Sequence, residues 1–305
     1  MKKKFFLFSI LSFQFSVFNL SFSQQKRGFQ AGLYAGAYFA NQTTAVLYDG
    51  YGYDLGGIKN NFDNSWLVRK INYEYGGGNY QPDRIAPALG LANSNEWKRI
   101  TPENMPINMR YTPAFAIGLN ARYNVNKKSS LLFNFNTMRL SCTGNFTIEV
   151  TPSANQAGNT WATQTIRTFP ILGKEQRFAF QIGLQQFFTE NKIFNFFAEA
   201  GPSLNYVKFV NNHVVINTLD IDLTTQYDVA GNRIFRARNM TSVDFGFFAG
   251  VGLNLNTQSN WMVQMVYNPS LERFGIGENP GPFFQNNIGL RMFKMKNSEE
   301  DGEKN

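Results

Sequence analysis

Residues 243–256, VDFGFFAGVGLNLN, constrain the fold of this chain more than any other stretch. Taken with a period of two, Val243, Phe245, Phe247, Ala249, Val251, Leu253 and Leu255 share one side, and Asp244, Gly246, Phe248, Gly250, Gly252 and Asn254 share the other. A soluble sandwich would turn the polar side to water and has no use for so many glycines on one face. A membrane barrel turns the apolar side to lipid and fills a narrow interior with small and polar side chains. The polar segment 257–260, TQSN, and a second alternating run, WMVQMVY, follow at once, which is the pattern of a hairpin.

Seven further segments alternate in the same way or continue such a run. They are 28–40, 111–125, 130–140, 177–188, 193–206, 261–267 and 283–293, so the chain reads as an all-β, transmembrane, antiparallel up-and-down barrel of eight strands. Tight turns are expected at 126–129, 189–192 and 257–260, and long connections at 41–110, 141–176, 207–242 and 268–283. This asymmetry places short turns in the periplasm and long loops outside the cell. Pro202 removes a ladder donor from the fifth strand and suggests a bulge near a rim. Residues 66–75 offer an alternative strand pair, which would make ten strands. A mean hydropathy of -0.30 does not argue against a barrel, because only alternate strand residues need be apolar.

The N-terminus sets the compartment. Lys2, Lys3 and Lys4 precede an apolar run from Phe5 to Phe22 that ends in a small-x-small cleavage site, so residues 1–23 are expected to be a signal peptide. The barrel and its loops then occupy 24–293, and 294–305 form a polar, disordered periplasmic tail. The cell outer membrane is the expected location.

The formal charge of +8 includes the three leader lysines, and the remaining Lys and Arg are scattered along an exported chain, so nucleic acid is not an expected partner. Basic side chains at a barrel rim suit anionic outer-membrane lipid, lipopolysaccharide included, with Arg233, Arg236 and Arg238 as candidates. Cys142 is the sole cysteine and is expected to be an ordinary small residue near a strand end. With one Cys and one His, a zinc site of the usual kind is excluded, and no cofactor is expected.

An eight-stranded interior is wide enough only for its own side chains. Arg122, Arg177, Glu199, Asp244 and Arg291 all fall on inward positions and are expected to pair as a structural charge network. Tyr123, Phe187, Phe194 and Trp261 lie near strand ends, where interfacial aromatics belong. The first connection carries YDGYGYDLGG and INYEYGGGNY, whose Gly and Tyr are expected first to pack a long loop onto itself above the barrel; in the recognition alternative Tyr51, Tyr53, Tyr73 and Tyr75 are its candidate binding residues, since tyrosine supplies rigid amphipathic contact area. Asp49, Asp54, Asp63 and Glu74 lie in the same loop without an EF-hand pattern, so a calcium site is not expected. His213, with Asp220 and Asp222 nearby in sequence, is the sole histidine, and a solvated loop role is favoured over catalysis.

The leader ending SFSQQ, the first strand GFQAGLYAGAYF, the segment MRYTPAFAIGLNARYNVN and FFAGVGLNLN resemble the outer-membrane β-barrel proteins of the Bacteroidota, grouped as porin-family or PorT-like barrels. The resemblance covers the strands, is weak in the loops and carries no catalytic signature. It implies outer-membrane location and, in some relatives, an accessory role in secretion or assembly machinery. The expectation is therefore a non-enzymatic structural, accessory or binding subunit acting through extracellular loops, with protein-complex partners in the outer membrane. The alternative is a narrow pore or a transporter with a lateral opening for small molecules.

Overall fold

The computed structural model describes residues 28–54, 58–78, 81–126, 128–151, 165–188, 194–227, 233–236, 241–256, 261–273 and 281–294. The expected signal peptide, the tail beyond Lys294 and the turns at 189–192 and 257–260 lie outside the described residues. In chain order the strands are β1 (Gly28–Phe39), β2 (Ile107–Tyr111), β3 (Ala114–Asn124), β4 (Ser129–Val150), β5 (Thr165–Phe187), β6 (Phe194–Ile216), β7 (Leu219–Asp222), β8 (Thr225–Tyr227), β9 (Arg233–Arg236), β10 (Thr241–Asn256), β11 (Trp261–Tyr267), β12 (Ser270–Glu272) and β13 (Phe283–Lys294).

Eight of these positions close a ring of antiparallel neighbours, in the order β1, β3, β4, β5, β6, β10, β11 with β12, and β13. β11 and β12 are two halves of one barrel strand, interrupted at Asn268 and Pro269, whose backbone groups bond Asn287 and Ala249 across the gap. β13 returns to β1 over eight residue pairs, from Gly32 opposite Phe293 to Phe39 opposite Asn286. Closure is what a hydrocarbon environment requires, because an open edge there would leave backbone donors and acceptors unpaired. At 125–129 the Asn126 carboxamide accepts from the backbone N–H groups of Lys128 and Ser129, each at 2.8 Å, which sets the expected tight turn.

The expected long connections at 141–176 and 207–242 are largely strand. β4, β5 and β6 are 22, 23 and 23 residues long; β4 continues to Val150 past Met138, its last residue paired with β3, β6 continues to Ile216 past Lys208, its last residue paired with β10, and β5 stays paired between them. Their alternation continues, but its sense reverses. On β4 the outer face carries Leu131, Phe133 and Phe135 in the barrel and then Ser141, Thr143 and Asn145, while the inner face changes from Ser130, Asn134 and Asn136 to Leu140, Phe146 and Ile148. The lower half is therefore built for lipid outside and a polar lumen inside, and the upper half for water outside and a core inside. This upper sheet is extended by β2 on one side and β7 on the other.

The connection after β1 folds as a cap against the inner face of that sheet. Gln42–Tyr48 is a 3-10 turn capped by Asn41. Residues 66–75 are helical and not a strand pair: Trp66–Val68 is capped by Ser65 and continues as a π-helical turn over Arg69–Glu74, with Tyr75 N–H bonded to Lys70 C=O. Trp66, Leu67, Val68 and Ile71 are buried in one cluster with Phe146, Ile148, Phe169, Ile171, Val214 and Ile221 of the sheet. Gly52 has φ +70, and a Cβ there would fall within the Trp66 indole, so the tight passage of chain over ring requires glycine.

Two smaller expectations are corrected. Pro202 makes no rim bulge: it lies in mid-barrel, opposite Phe247 in the unbroken β6–β10 register, and the β5–β6 irregularity falls instead between Lys174 and Glu175. Phe187 is not a girdle residue but an inward, buried one, whereas Tyr123, Phe194 and Trp261 are exposed on the outer face.

Candidate functional site: a filled lumen beneath an extracellular cap

The lumen is packed in layers. At the periplasmic end Leu132, Phe187, Phe197, Met262 and Phe293 are buried together with the Arg122 guanidinium, which stands 4.9 Å from the Phe293 ring centroid and 5.7 Å from that of Phe187. Arg122 donates to Gln30 Oε1 at 2.6 Å, to Gln185 Oε1 at 3.3 Å and to Met262 Sδ at 2.9 Å. Gln185 in turn donates to Glu199 Oε2 at 3.2 Å. Above it, Arg291 grips Glu199 through both terminal nitrogens, at 2.6 and 2.7 Å, and Asn268 donates to the same carboxylate at 3.1 Å.

A second charged cluster closes the extracellular end. Arg177 donates to Glu175 at 2.5 Å and to Tyr38 Oη at 3.0 Å, and its Nη1 stands 4.0 Å from Glu272. Glu175 also accepts from the hydroxyls of Tyr48, at 2.7 Å, and Tyr111, at 3.0 Å. Burial, reinforced by the Glu175 charge, pushes both phenols well above their ordinary value, so they remain donors. Tyr48 stacks on Phe209 at 4.9 Å and joins this cluster to the cap.

Of the five inward charges expected as one network, four are thus distributed over two layers. Arg291 binds Glu199 directly and Arg122 reaches it through Gln185, Arg177 belongs to the upper cluster, and Asp244 is half-buried on β10 and accepts from Ser242 at 2.5 Å. Glu175 and Glu272 were not expected because both lie in segments read as connections. The i, i+2 spacing of Glu175 and Arg177, which puts both on one strand face, was the available signal.

The cap is tied to the sheet by directed bonds. Lys98 N–H donates to Glu149 C=O at 2.9 Å and Thr151 N–H to Glu96 C=O at 2.8 Å, extending the β4 edge. Arg167 donates to Leu89 C=O at 2.6 Å and Asn217 to Ala88 C=O at 2.7 Å, satisfying carbonyls at the end of the short helix Ile85–Ala88. Asn72 pairs with both backbone groups of Ile100, at 3.0 and 2.8 Å.

The four candidate tyrosines are separated by this folding. Tyr53 is buried. Tyr51 is half-buried beneath the Lys59 ammonium, 4.8 Å from the ring centroid, and Lys59 also meets Asp49 at 2.6 Å. Tyr73 is exposed beneath Arg99 at 5.6 Å, and Tyr75 is half-buried beneath Arg84 at 4.9 Å and Lys70 at 5.9 Å. Arg69, Arg84 and Arg99 are exposed, while Lys98 meets Glu149 at 2.8 Å, so the Tyr73–Tyr75 side of the cap is aromatic and carries three exposed arginines. Asp49 and Glu74 are occupied by Lys59 and Lys70, and among the described residues no three acidic, His or Cys side chains gather as metal ligands.

His213 lies on the outer face of β6 with Nδ1 2.8 Å from Asp220, a strand residue rather than a loop one. Cys142 is fully buried in the middle of β4, not near its end, and burial raises its thiol to about 12. The side chains of Arg233, Arg236 and Arg238 lie outside the described residues.

No family model and no curated protein matches the chain. Among solved structures it is similar to Ail, the attachment invasion locus protein of Yersinia pestis, crystallised alone and with the heparin analogue sucrose octasulfate. In the complex, identity is 11%, with 88% of this chain and 99% of that chain covered and a TM-score of 0.35. It is also similar to Neisserial surface protein A, at 13% identity over 62% of this chain and 91% of that one, with a TM-score of 0.32. Both are outer-membrane β-barrels.

Proposed function

We propose that this protein is a non-enzymatic outer-membrane barrel that serves as an accessory or binding subunit and recognises its partner through the extracellular cap. The observation that carries the reading is the cap itself, which is docked on the raised sheet by backbone pairing and presents Tyr73 and Tyr75 beneath Arg99 and Arg84. Aromatic rings with arginines across them are well suited to an acidic protein or glycan surface, because both contribute contact area at low entropic cost and the guanidinium adds charge. The resemblance to Bacteroidota barrels adds secretion or assembly machinery as the setting. The filled lumen, with charged clusters at two levels, weighs against the narrow pore.

The test is gentle extraction of the tagged protein from its own outer membrane, comparing the wild type with a Tyr73→Ala/Tyr75→Ala/Arg84→Ala/Arg99→Ala variant. A stoichiometric partner retained by the first and lost from the second, with both barrels equally folded, is the expected result. A partner-free monomer that conducts ions or small solutes in planar bilayers would overturn the proposal.

A further inference from the structure

The outer face of β4, β5 and β6 changes from apolar to polar over a short height, and three cations stand at the change. Arg139 is paired across the ladder with Gln176, and Gln176 with Lys208, so the two cations flank one residue on a single row, about 10 Å apart across two strand spacings. Lys174 rises one step higher on the middle strand, opposite Ser141 and Asn211. All three are exposed, and none has an ion pair among the described residues. Every other outward position from Phe135 to Thr143 on β4, from Leu172 to Phe180 on β5 and from Leu204 to Val210 on β6 is neutral.

Directly below runs an aromatic row on the same face. Phe135 stacks on Phe178 at 6.1 Å, and Phe178 meets Tyr206 at 5.8 Å. Phe180, Leu204 and Phe245 continue the apolar surface downward, where the barrel faces lipid. Unpaired cations above an aromatic shelf above a lipid-facing wall match an amphiphile with phosphate at the water boundary and acyl chains beneath it.

We infer that this face binds lipid A of lipopolysaccharide. Arg139, Lys174 and Lys208 hold a headgroup phosphate, with arginine giving a forked contact and the lysines point charges, and the Phe135–Phe178–Tyr206 row supports the first carbons of the acyl chains. The site lies outside the cap on which the proposed function rests, so the two can fail separately.

The experiment measures bisphosphorylated lipid A binding to the detergent-solubilised full-length mature protein by native mass spectrometry. The wild type is compared with Arg139→Ala/Lys174→Ala/Lys208→Ala and with a charge-matched cap control, Arg69→Ala/Arg84→Ala/Arg99→Ala. Heat-dependent gel mobility checks that each variant is folded. The triple variant of the outer face is expected to bind at least about tenfold more weakly, the cap control to bind as the wild type does, and dephosphorylated lipid A to bind the wild type as weakly as lipid A binds the triple variant. Equal binding by the triple variant, equal loss in the cap control, or undiminished binding of dephosphorylated lipid A would each overturn the proposal. Competition by inorganic phosphate as effective as that by lipid A would instead identify a free-anion site and also reject it.

Discussion

Glu199 and Arg291 meet through two parallel hydrogen bonds at the centre of the lumen, both out of contact with solvent. Removing one member leaves the other as an uncompensated buried charge, which costs about 3–5 kcal/mol. Arg291→Met and Glu199→Gln are each expected to lower the urea stability of the refolded barrel by this order. The double variant should be less destabilised than the sum of the two, since it leaves neither Glu199 nor Arg291 as an orphaned charge.

The reversal of sidedness along β4 gives a prediction that depends on height. Leu119 is exposed at the middle of β3, and Leu119→Arg should cost about 2–4 kcal/mol in a bilayer. Thr143→Arg, on the outer face of the raised sheet, should stay within about 0.5 kcal/mol. Unfolding of vesicle-inserted protein reads both, and similar costs for the two substitutions would move the lipid boundary.

The barrel wall fixes how close neighbouring strands approach. At Gly252 an added Cβ would collide with the Phe197 ring and with the Met265 carbonyl oxygen, of which the second cannot rotate away. Gly252→Val is expected to destabilise the barrel by about 1–3 kcal/mol and to shift its gel mobility toward the unfolded form.

Cys142 reports on the upper core. A thiol at about 12 is ionised in only about one molecule in ten thousand at pH 8, and its sulfur is buried. Maleimide labelling should be negligible in the folded protein and complete in urea. Rapid labelling of the native form would mean that the cap opens frequently.

Asp49 links the cap to pH. Burial raises its carboxyl above 3.8, partly offset by the hydrogen bond and charge of Lys59. A raised folded-state value means that the stability contributed by protonation is fully present below 3.8 and is lost as pH rises through the folded value. Hydrogen exchange of the cap amides should therefore accelerate over that window. Asp49→Asn should remove this part of the pH dependence.

The barrel was legible because lipid imposes one rule on every spanning strand. Phe245, Phe247 and Val251 against Gly246, Gly250 and Asn254 state it without help from distant residues. The raised sheet obeys the same period with the opposite sense, so the apolar-out pattern is lost by Leu140 although β4 continues to Val150. The Gly- and Tyr-rich composition of the first connection points to a loop packed onto itself above the barrel, but the cap's docking on the raised sheet was not legible. The cap's helix over Trp66–Val68 is three residues long, and it is buried in one cluster with Phe146, Ile171 and Val214, far away in sequence. The interior charges were readable by parity, but their division into two clusters depends on Glu175 and Glu272, which parity could not place while their strands were unrecognised.

The continuity of β4, β5 and β6 from bilayer to cap also has a mechanical meaning. Each strand crosses from lipid to water without a hinge, and about ten residues of each rise some 30 Å along the strand above the rim. A load on the cap is therefore carried into the membrane by three neighbouring antiparallel backbones and the ladders between them, not by a slack tether. The cap stands at a fixed height and heading, and pulling on it strains the wall of the barrel directly.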